Sequence, residues 1–281
     1  MSDPFLVTGP AVISFSGGRT SGYMLWRIIQ AHGGTLPEDV VPVFANTGRE
    51  MPATLDFVQN CRAHWGAIIV WLEFAGRRAD GYERVSHNSA SRAGEPFDRF
   101  LALNAALPNG VQRSCTTELK IRTIKRFCMH ALGWTHWTNV IGLRADEPRR
   151  LVKGRKRTRD RWKTTYPLAD AGVTQDDVMA FWREQPFDLG LAGRWEGNCD
   201  GCFLKSNASL MRMMIDHPDR MRWWEEKEAE PRGTAGVNRR FRNFDRQSYA
   251  DLRRAIANNP RLPVDETMIE GGELCGAHCG V

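Results

Sequence analysis

The stretch from residue 11 to residue 29 constrains this chain most. A-V-I-S-F (11–15) reads as a buried strand. It runs straight into S-G-G-R-T-S (16–21) and then into a helical pattern with Tyr23, Met24, Trp26, Ile28 and Ile29 on its apolar side. A strand that enters a helix through two glycines forms a natural anion cradle. Gly17 and Gly18 let the backbone approach a ligand closely. The helix that follows offers unpaired N–H groups and a positive dipole end. Thr20 or Ser21 could cap that helix or donate a hydroxyl to a phosphate oxygen. The loop is neither G-x-x-x-x-G-K-[ST] nor G-x-G-x-x-G, so those two nucleotide fingerprints do not name its ligand.

The alternation continues downstream. Strand-like runs at 39–45, 67–72 and 136–143 are interleaved with helical patterns at 53–64 and 116–132. This order predicts an α/β fold: a parallel sheet flanked by helices, Rossmann-like in its layering. Pro42 weakens the second strand, since proline cannot donate to a ladder. The second half changes character. Residues 149–163 hold nine basic side chains and no apolar stripe, which predicts a solvated loop or an anion-binding arm. Helices fit 174–184, 206–216, 218–229 and 245–258. The expected organisation is a nucleotide-binding α/β domain over 1–170 and a mostly helical, cysteine-containing extension over 171–281.

Composition bounds the function classes. Of 281 residues, 42% are apolar and 26% charged, so a packed core is expected and wholesale disorder is not. There is no repeat period and no apolar run of the roughly 18–20 residues that a membrane helix needs. The first ten residues lack a basic segment followed by a long apolar one. A cytoplasmic location away from any membrane is the expectation. The net charge of +6 favours an anionic partner.

Seven cysteines make an odd number for a disulfide framework, so metal binding or redox chemistry is expected instead. Cys199-Asp200-Gly201-Cys202 is a C-x-x-C, a spacing at which two thiolates can grip one metal centre or exchange a disulfide. Cys115 precedes a helix, whose N-terminus would favour its thiolate. Cys275 and Cys279 lie in a glycine-rich tail beside His278, where a thiolate near His278 and many arginines would have a lowered pKa. Cys199, Cys202, Cys275 and Cys279 could together form an all-thiolate zinc site. Cys61 and Cys128 fall at apolar helical positions and read as inert core thiols. Among ten tryptophans, Trp26, Trp65, Trp71 and Trp137 sit in core-like patterns, whereas Trp162, Trp195, Trp223 and Trp224 are open. Arg239-Arg240-Phe241-Arg242-Asn243-Phe244 interleaves cations with aromatics, as a nucleic-acid contact would or as a loop packed on the core would.

Five segments, in order, resemble the phosphoadenylyl-sulfate (PAPS) reductase-like family of the adenine nucleotide α-hydrolase (PP-loop) superfamily, including its phage-type and DNA-phosphorothioation members. They are Ser16-Gly17-Gly18-Arg19-Thr20-Ser21; Asn46-Thr47-Gly48-Arg49-Glu50-Met51-Pro52; Cys115 with Lys120; Gly142-Leu143-Arg144-Ala145-Asp146-Glu147; and Tyr166-Pro167-Leu168 with Asp177, Val178 and Phe181. The likeness spans about residues 10–205. Thr20 stands where many ATP-using members have Asp. Ala169-Asp170 replaces the usual Trp after the Pro-Leu pair, and Pro148 replaces a common Ser.

The resemblance implies an adenine-nucleotide-dependent enzyme of sulfur transfer or sulfur reduction, acting on ATP or PAPS, with Mg as a further cation for ATP. Ser16, Gly17, Gly18, Arg19, Thr20 and Ser21 would hold the phosphate or sulfate end. Asn46, Thr47 and Gly48 would flank the adenosine. Arg144 and Lys120 would neutralise charge developing near the loop, with help from the 149–163 arginines. Cys115, Cys199 and Cys202, joined by Cys275 or Cys279, would hold a 4Fe-4S cluster. Cys275, in a tail reminiscent of the reductases' terminal cysteine motif, would attack sulfur. Implied partners are a nucleic-acid acceptor (DNA or tRNA) and a sulfur or electron donor protein. The contrasting expectation is non-catalytic: a zinc-stabilised basic module with a degenerate nucleotide site that binds nucleic acid.

Overall fold

The computed structural model describes residues 3–156, 161–197, 199–232, 240–242 and 245–259. In chain order the elements are β1 (Ala11–Ser14), α1 (Arg19–Ala31), β2 (Val40–Asn46), α2 (Pro52–Trp65), β3 (Val70–Phe74), β4 (Tyr82–Val85) and α3 (Glu95–Ala102). A π-helix (Thr116–Arg122) leads into α4 (Thr123–His130), β5 (Trp137–Ile141), α5 (Pro148–Arg155), β6 (Trp162–Thr165), the single turn α6 (Pro167–Asp170) and α7 (Gln175–Arg183). Three helices complete the described chain: α8 (Asn207–Asp216), α9 (Pro218–Ala229) and α10 (Tyr249–Asn258).

The six strands form one sheet in the order β4-β3-β2-β1-β5-β6. Only β4 is antiparallel to its neighbour. Strands run outward from β1 through β2 to β3, and the chain then returns to place β5 on the other side of β1. Such a reversal leaves a crevice at the carboxyl ends of the two central strands, where open α/β sheets bind ligands. The glycine turn leaves β1 at this crevice and Gly142–Glu147 leaves β5 there.

Alternating side chains fill both faces. Ala11, Ile13, Phe44, Trp71 and Val140 pack under α1, α2 and α7. Val12, Val43, Val70, Leu72 and Trp137 pack under Phe127 and Cys128 of α4. A separate core joins α3, α8, α9 and α10 through Phe97, Phe100, Leu210, Met213, Trp224 and Tyr249. Pro42 is tolerated in β2 because the ladder to β3 begins only at Val43.

Several expectations need correcting. The basic run 149–163 is no plain loop: α5 covers its first half and β6 its end. Leu151 is buried against Ile141, Leu143 and Tyr166, and Trp162 stacks on Trp137 with centroids 5.3 Å apart. One inward-facing leucine on an otherwise charged helix makes no readable stripe. β4 went unread because it is a four-residue edge strand with exposed Glu83 and Arg84. Helix α7, expected in the extension, packs on the α/β layer: Phe181 lies 4.9 Å from Tyr23 and 4.7 Å from Trp26, and Trp182 lies 4.8 Å from Phe57. Of the two expectations for the basic–aromatic segment near 240, packing on the core holds at its two central positions. Phe241 and Arg242 are buried, with Phe241 4.9 Å from Trp224. Arg239, Asn243 and Phe244 lie outside the described residues, as do the tail cysteines Cys275 and Cys279.

Trp182 fills the space between α1 and α2, and its indole N–H donates to the Arg19 carbonyl at 2.9 Å. Trp182→Ala should destabilise the fold by about 3–5 kcal/mol, read as a lower urea midpoint by circular dichroism. A change under about 1 kcal/mol would show that α7 does not belong to this core.

Candidate functional site

At the end of β1 the chain turns through Gly17, whose φ of +76° suits glycine. A Cβ there would meet Thr54 Cγ2 at 2.8 Å and Phe44 at 3.0 Å, so the turn is pressed onto β2 and α2. Gly18 caps α1 without a side chain. Ser21 turns its hydroxyl back into the loop. It accepts from the Ser16 and Gly18 amides at 3.2 and 3.3 Å and donates to the Gly18 carbonyl at 2.9 Å, bracing the loop from within.

Arg144, carried on the segment after β5, reaches this loop. Its Nη1 donates to Thr20 Oγ1 at 3.2 Å and its Nε to Asp146 Oδ1 at 2.8 Å. The buried Glu147 carboxylate accepts the Arg144 amide at 3.0 Å and pairs with Arg150, fixing the segment. Arg19 instead points to Asp188, forming two 2.7 Å bonds. Burial opposes the Asp188 charge, but the Arg19 fork and the Leu189 amide hold its pKa below the ordinary value. Beside the loop, a cavity on the α4 face of the sheet is lined by Ser14, Ser16, Ala45, Lys120, Asn139, Trp137 and Trp162. Its walls suit a planar, mostly apolar ring with a polar end toward Ser16 and Lys120.

The Asn46–Gly48 turn is braced from within. The Asn46 side chain is wholly buried: its amide donates to Glu73 Oε1 at 2.6 Å and to the Ser91 carbonyl at 2.9 Å, and its Oδ1 accepts the Gly48 amide at 3.1 Å. Asn46 thus braces the turn. Thr47 lines a second cavity rather than the one beside the glycine loop.

That second cavity gathers the cysteines. Cys115, Cys199 and Cys202 line it together with Arg113, Thr116 and Lys120. Lys120, near the end of the π-helix, lines both cavities. A π-turn widens a helix locally and recurs at functional sites. Lys120 Nζ lies 3.4 Å from Glu50 Oε1, and Cys199 Sγ lies 4.0 Å from the same oxygen. Glu50 Oε2 accepts from the Thr47 amide and hydroxyl at 2.9 and 2.8 Å. Three thiols and two cations, Lys120 and Arg113, thus line one cavity. A single tetrahedral zinc needs its sulfurs about 3.8 Å apart, from Zn–S of about 2.3 Å. Among the described residues, no three His, Cys, Asp or Glu side chains are grouped to hold one ion. Burial in the core pushes the Cys128 thiol up to about 12, and Cys61 higher still.

The charges that hold the cysteine loop in place are not legible in the sequence. Arg49, within the Asn46–Pro52 segment, is 3% exposed and pairs with the fully buried Asp200 at 2.6 Å. Burial lowers the Arg49 pKa and Asp200 opposes the shift. Lys205 clamps the loop before and within the C-x-x-C, donating to the carbonyls of Trp195 at 2.7 Å, Asp200 at 2.8 Å, and Glu196. The one available signal was an Asp between two cysteines, which chain-local reasoning cannot pair with a partner.

No family model matches the chain. The uncharacterized nin region protein ORF290 of Escherichia phage lambda is 30% identical over 210 residues, covering 71% of this chain and 67% of that protein. This chain belongs to the ORF290 family. A solved phosphoadenylyl-sulfate reductase from Candida auris, in a phosphate complex, matches 65% of this chain and 79% of its own, with a TM-score of 0.40 and 16% identity. Among the described residues, no helix is long and apolar enough to cross a membrane.

Glu73 gives this ORF290-family site a pH signature. Burial raises its pKa from the ordinary 4.5, while the Ser91 amide and the Asn46 side chain pull it down. The native state therefore holds this proton more tightly than the unfolded chain, so stability falls as pH rises through and above about 4.5. Both donors use Oε1, and glutamine keeps that carbonyl without a charge to bury. Glu73→Gln should gain stability relative to the parent as pH rises from about 4.5 to 7.5, measured by paired urea titrations. A difference independent of pH would refute this assignment.

Proposed function

We propose that this protein carries out adenine-nucleotide-dependent sulfur chemistry, with an adenylyl sulfate such as PAPS as the nucleotide. The observation that carries the reading is the position of Lys120. Its side chain lines both the cavity beside the glycine loop and the cavity lined by Cys115, Cys199 and Cys202. An anionic group seated at the loop would lie across one ammonium from the thiols. Ser16, Gly17 and Gly18 with the first turn of α1 would bind the sulfate or phosphate end, by their N–H groups and the dipole. Arg144, already aimed at Thr20, would take its place on the developing negative charge. Trp137 and Trp162 would face the base.

Thr20 favours a sulfate over MgATP. No side chain from Ser16 to Ser21 is a carboxylate, and the nearby Asp146 and Asp188 are tied to Arg144 and Arg19. A 4Fe-4S cluster would be held by Cys115, Cys199 and Cys202, with Cys275 or Cys279 as fourth ligand and the remaining one, Cys275 in the first instance, as the thiol that attacks sulfur. When bound, such a cluster supplies a redox-active centre beside the anion. Lys120 and Arg113 would offset the charge of the thiolates and orient the anion toward them.

The reading is tested on the full chain, purified without oxygen and analysed for iron, sulfide and zinc. It is then incubated with PAPS and a thiol reductant, and sulfite is measured. Sulfite release supports it. Pyrophosphate release from ATP, stimulated by DNA or tRNA, would replace reduction by nucleic-acid thiolation. No affinity for either nucleotide would overturn both. Arg144→Ala should lower kcat/KM about 10²–10³-fold while leaving the circular dichroism spectrum unchanged, as for the loss of one stabiliser of developing charge.

A further inference from the structure

The residue between the two cysteines of the C-x-x-C is a wholly buried carboxylate, and it is heavily bonded. Asp200 Oδ1 accepts the Gly201 amide at 2.6 Å and the Trp224 indole N–H at 2.7 Å. Oδ2 accepts Arg49 Nη2 at 2.6 Å, and Arg220 Nε lies 2.8 Å away. Both arginines also grip backbone. Arg49 donates to the carbonyls of Arg220 at 2.6 Å and Ala93 at 3.2 Å, and its guanidinium lies 4.8 Å from the Trp223 ring centre. Arg220 donates to the Glu50 carbonyl at 2.7 Å.

The backbones are joined as well. The Asp200 amide donates to the Arg49 carbonyl at 2.9 Å, and Glu50 and Cys199 form an antiparallel bridge. Three segments distant in sequence are therefore locked at one point: the turn after β2, the cysteine loop and the start of α9. Burying two cations and an anion is costly unless the geometry is well satisfied. As a source of stability it is a poor device. As a way of fixing one arrangement it is effective, because each charge accepts few alternatives.

We infer that Arg49, Asp200 and Arg220 are positioning residues that hold Cys199 and Cys202 in fixed register with the turn after β2, and so with Glu50 and Lys120. The inference rests on the reading of the thiol cavity as functional. Its distinctive content is that the fork of Arg49 matters, beyond its charge. The fork serves an Asp200 oxygen and two carbonyls at once, which the single ammonium of lysine cannot reproduce.

The test uses the full chain, reduced and freed of metal, without nucleotide. Arg49→Lys keeps the charge. Asp200→Asn keeps the Oδ1 acceptor but turns an amide N–H₂ toward Arg49. Iodoacetamide modification of each cysteine is followed by peptide mass mapping. Cys61 and Cys128, both 0% exposed, report on the fold in the same molecule. The expected result is at least tenfold faster modification of Cys199 and Cys202 in Arg49→Lys, with Cys61 and Cys128 as slow as in the parent. Asp200→Asn should behave alike, and the lysine variant decides if the asparagine variant does not fold. Parent-like rates at Cys199 and Cys202 in the lysine variant would mean that charge alone suffices, and would overturn the proposal. So would a rise at all four cysteines together, which would assign the knot to global stability. No nucleotide or cluster enters this experiment, so its outcome is separate from that of the sulfite assay.

Discussion

A parallel sheet whose strand order reverses beside its first strand must open a crevice there. The connection leaving β1 swings to one face, and the chain returning to β5 comes from the other. Nothing between them can close the carboxyl ends of the two strands. The glycine turn and the Arg144 segment occupy the two lips of that crevice, and the Arg144–Thr20 bond spans it. The close packing of Gly17 on Thr54 and Phe44 follows from the same constraint, because the turn has to lie flat on β2 and α2 to present α1's first turn outward.

The thiol cavity depends on a different kind of contact. The helical part of the chain meets the α/β layer through an apolar contact, in which Met51, Phe74 and Leu119 join the helices, and at the C-x-x-C loop through an ionic one. An apolar joint could slide by a fraction of a side chain at small cost, whereas a carboxylate bonded on both oxygens cannot. Lys205 adds a second clamp on the same loop, satisfying carbonyls that a tight turn leaves without partners. The two cavities then share Lys120, so charge at one is felt at the other.

Much of the sheet was legible because buried parallel strands are continuous apolar runs, and the four central strands read that way. The edge strands β4 and β6 did not, since an edge needs only one apolar contact to hold it, as Trp162 does on Trp137. The basic run was misjudged for a related reason: α5 is anchored by little more than Leu151, and charge counts do not reveal a single anchor. Phe241 and Arg242 stay open between a surface contact and a packed loop in the sequence, because alternating cations and aromatics carry no information about which side faces inward.

Short windows of sequence determined what backbone stereochemistry and local hydrogen bonding decide: the strand–glycine–helix unit and the helix spans; they also singled out Cys115, Cys199 and Cys202 as candidate ligands and placed Cys61 and Cys128 at apolar helical positions. Only the tertiary structure decided that those three thiols line one cavity, that Lys120 stands between it and the glycine loop, and that Ser21 and Asn46 brace the loops they sit in. It alone paired Arg49 with Asp200 across 151 positions. The physical reason is range. Propensity and capping act within a turn or two of chain, while the worth of a buried charge depends on which partner the packing brings within about 3 Å.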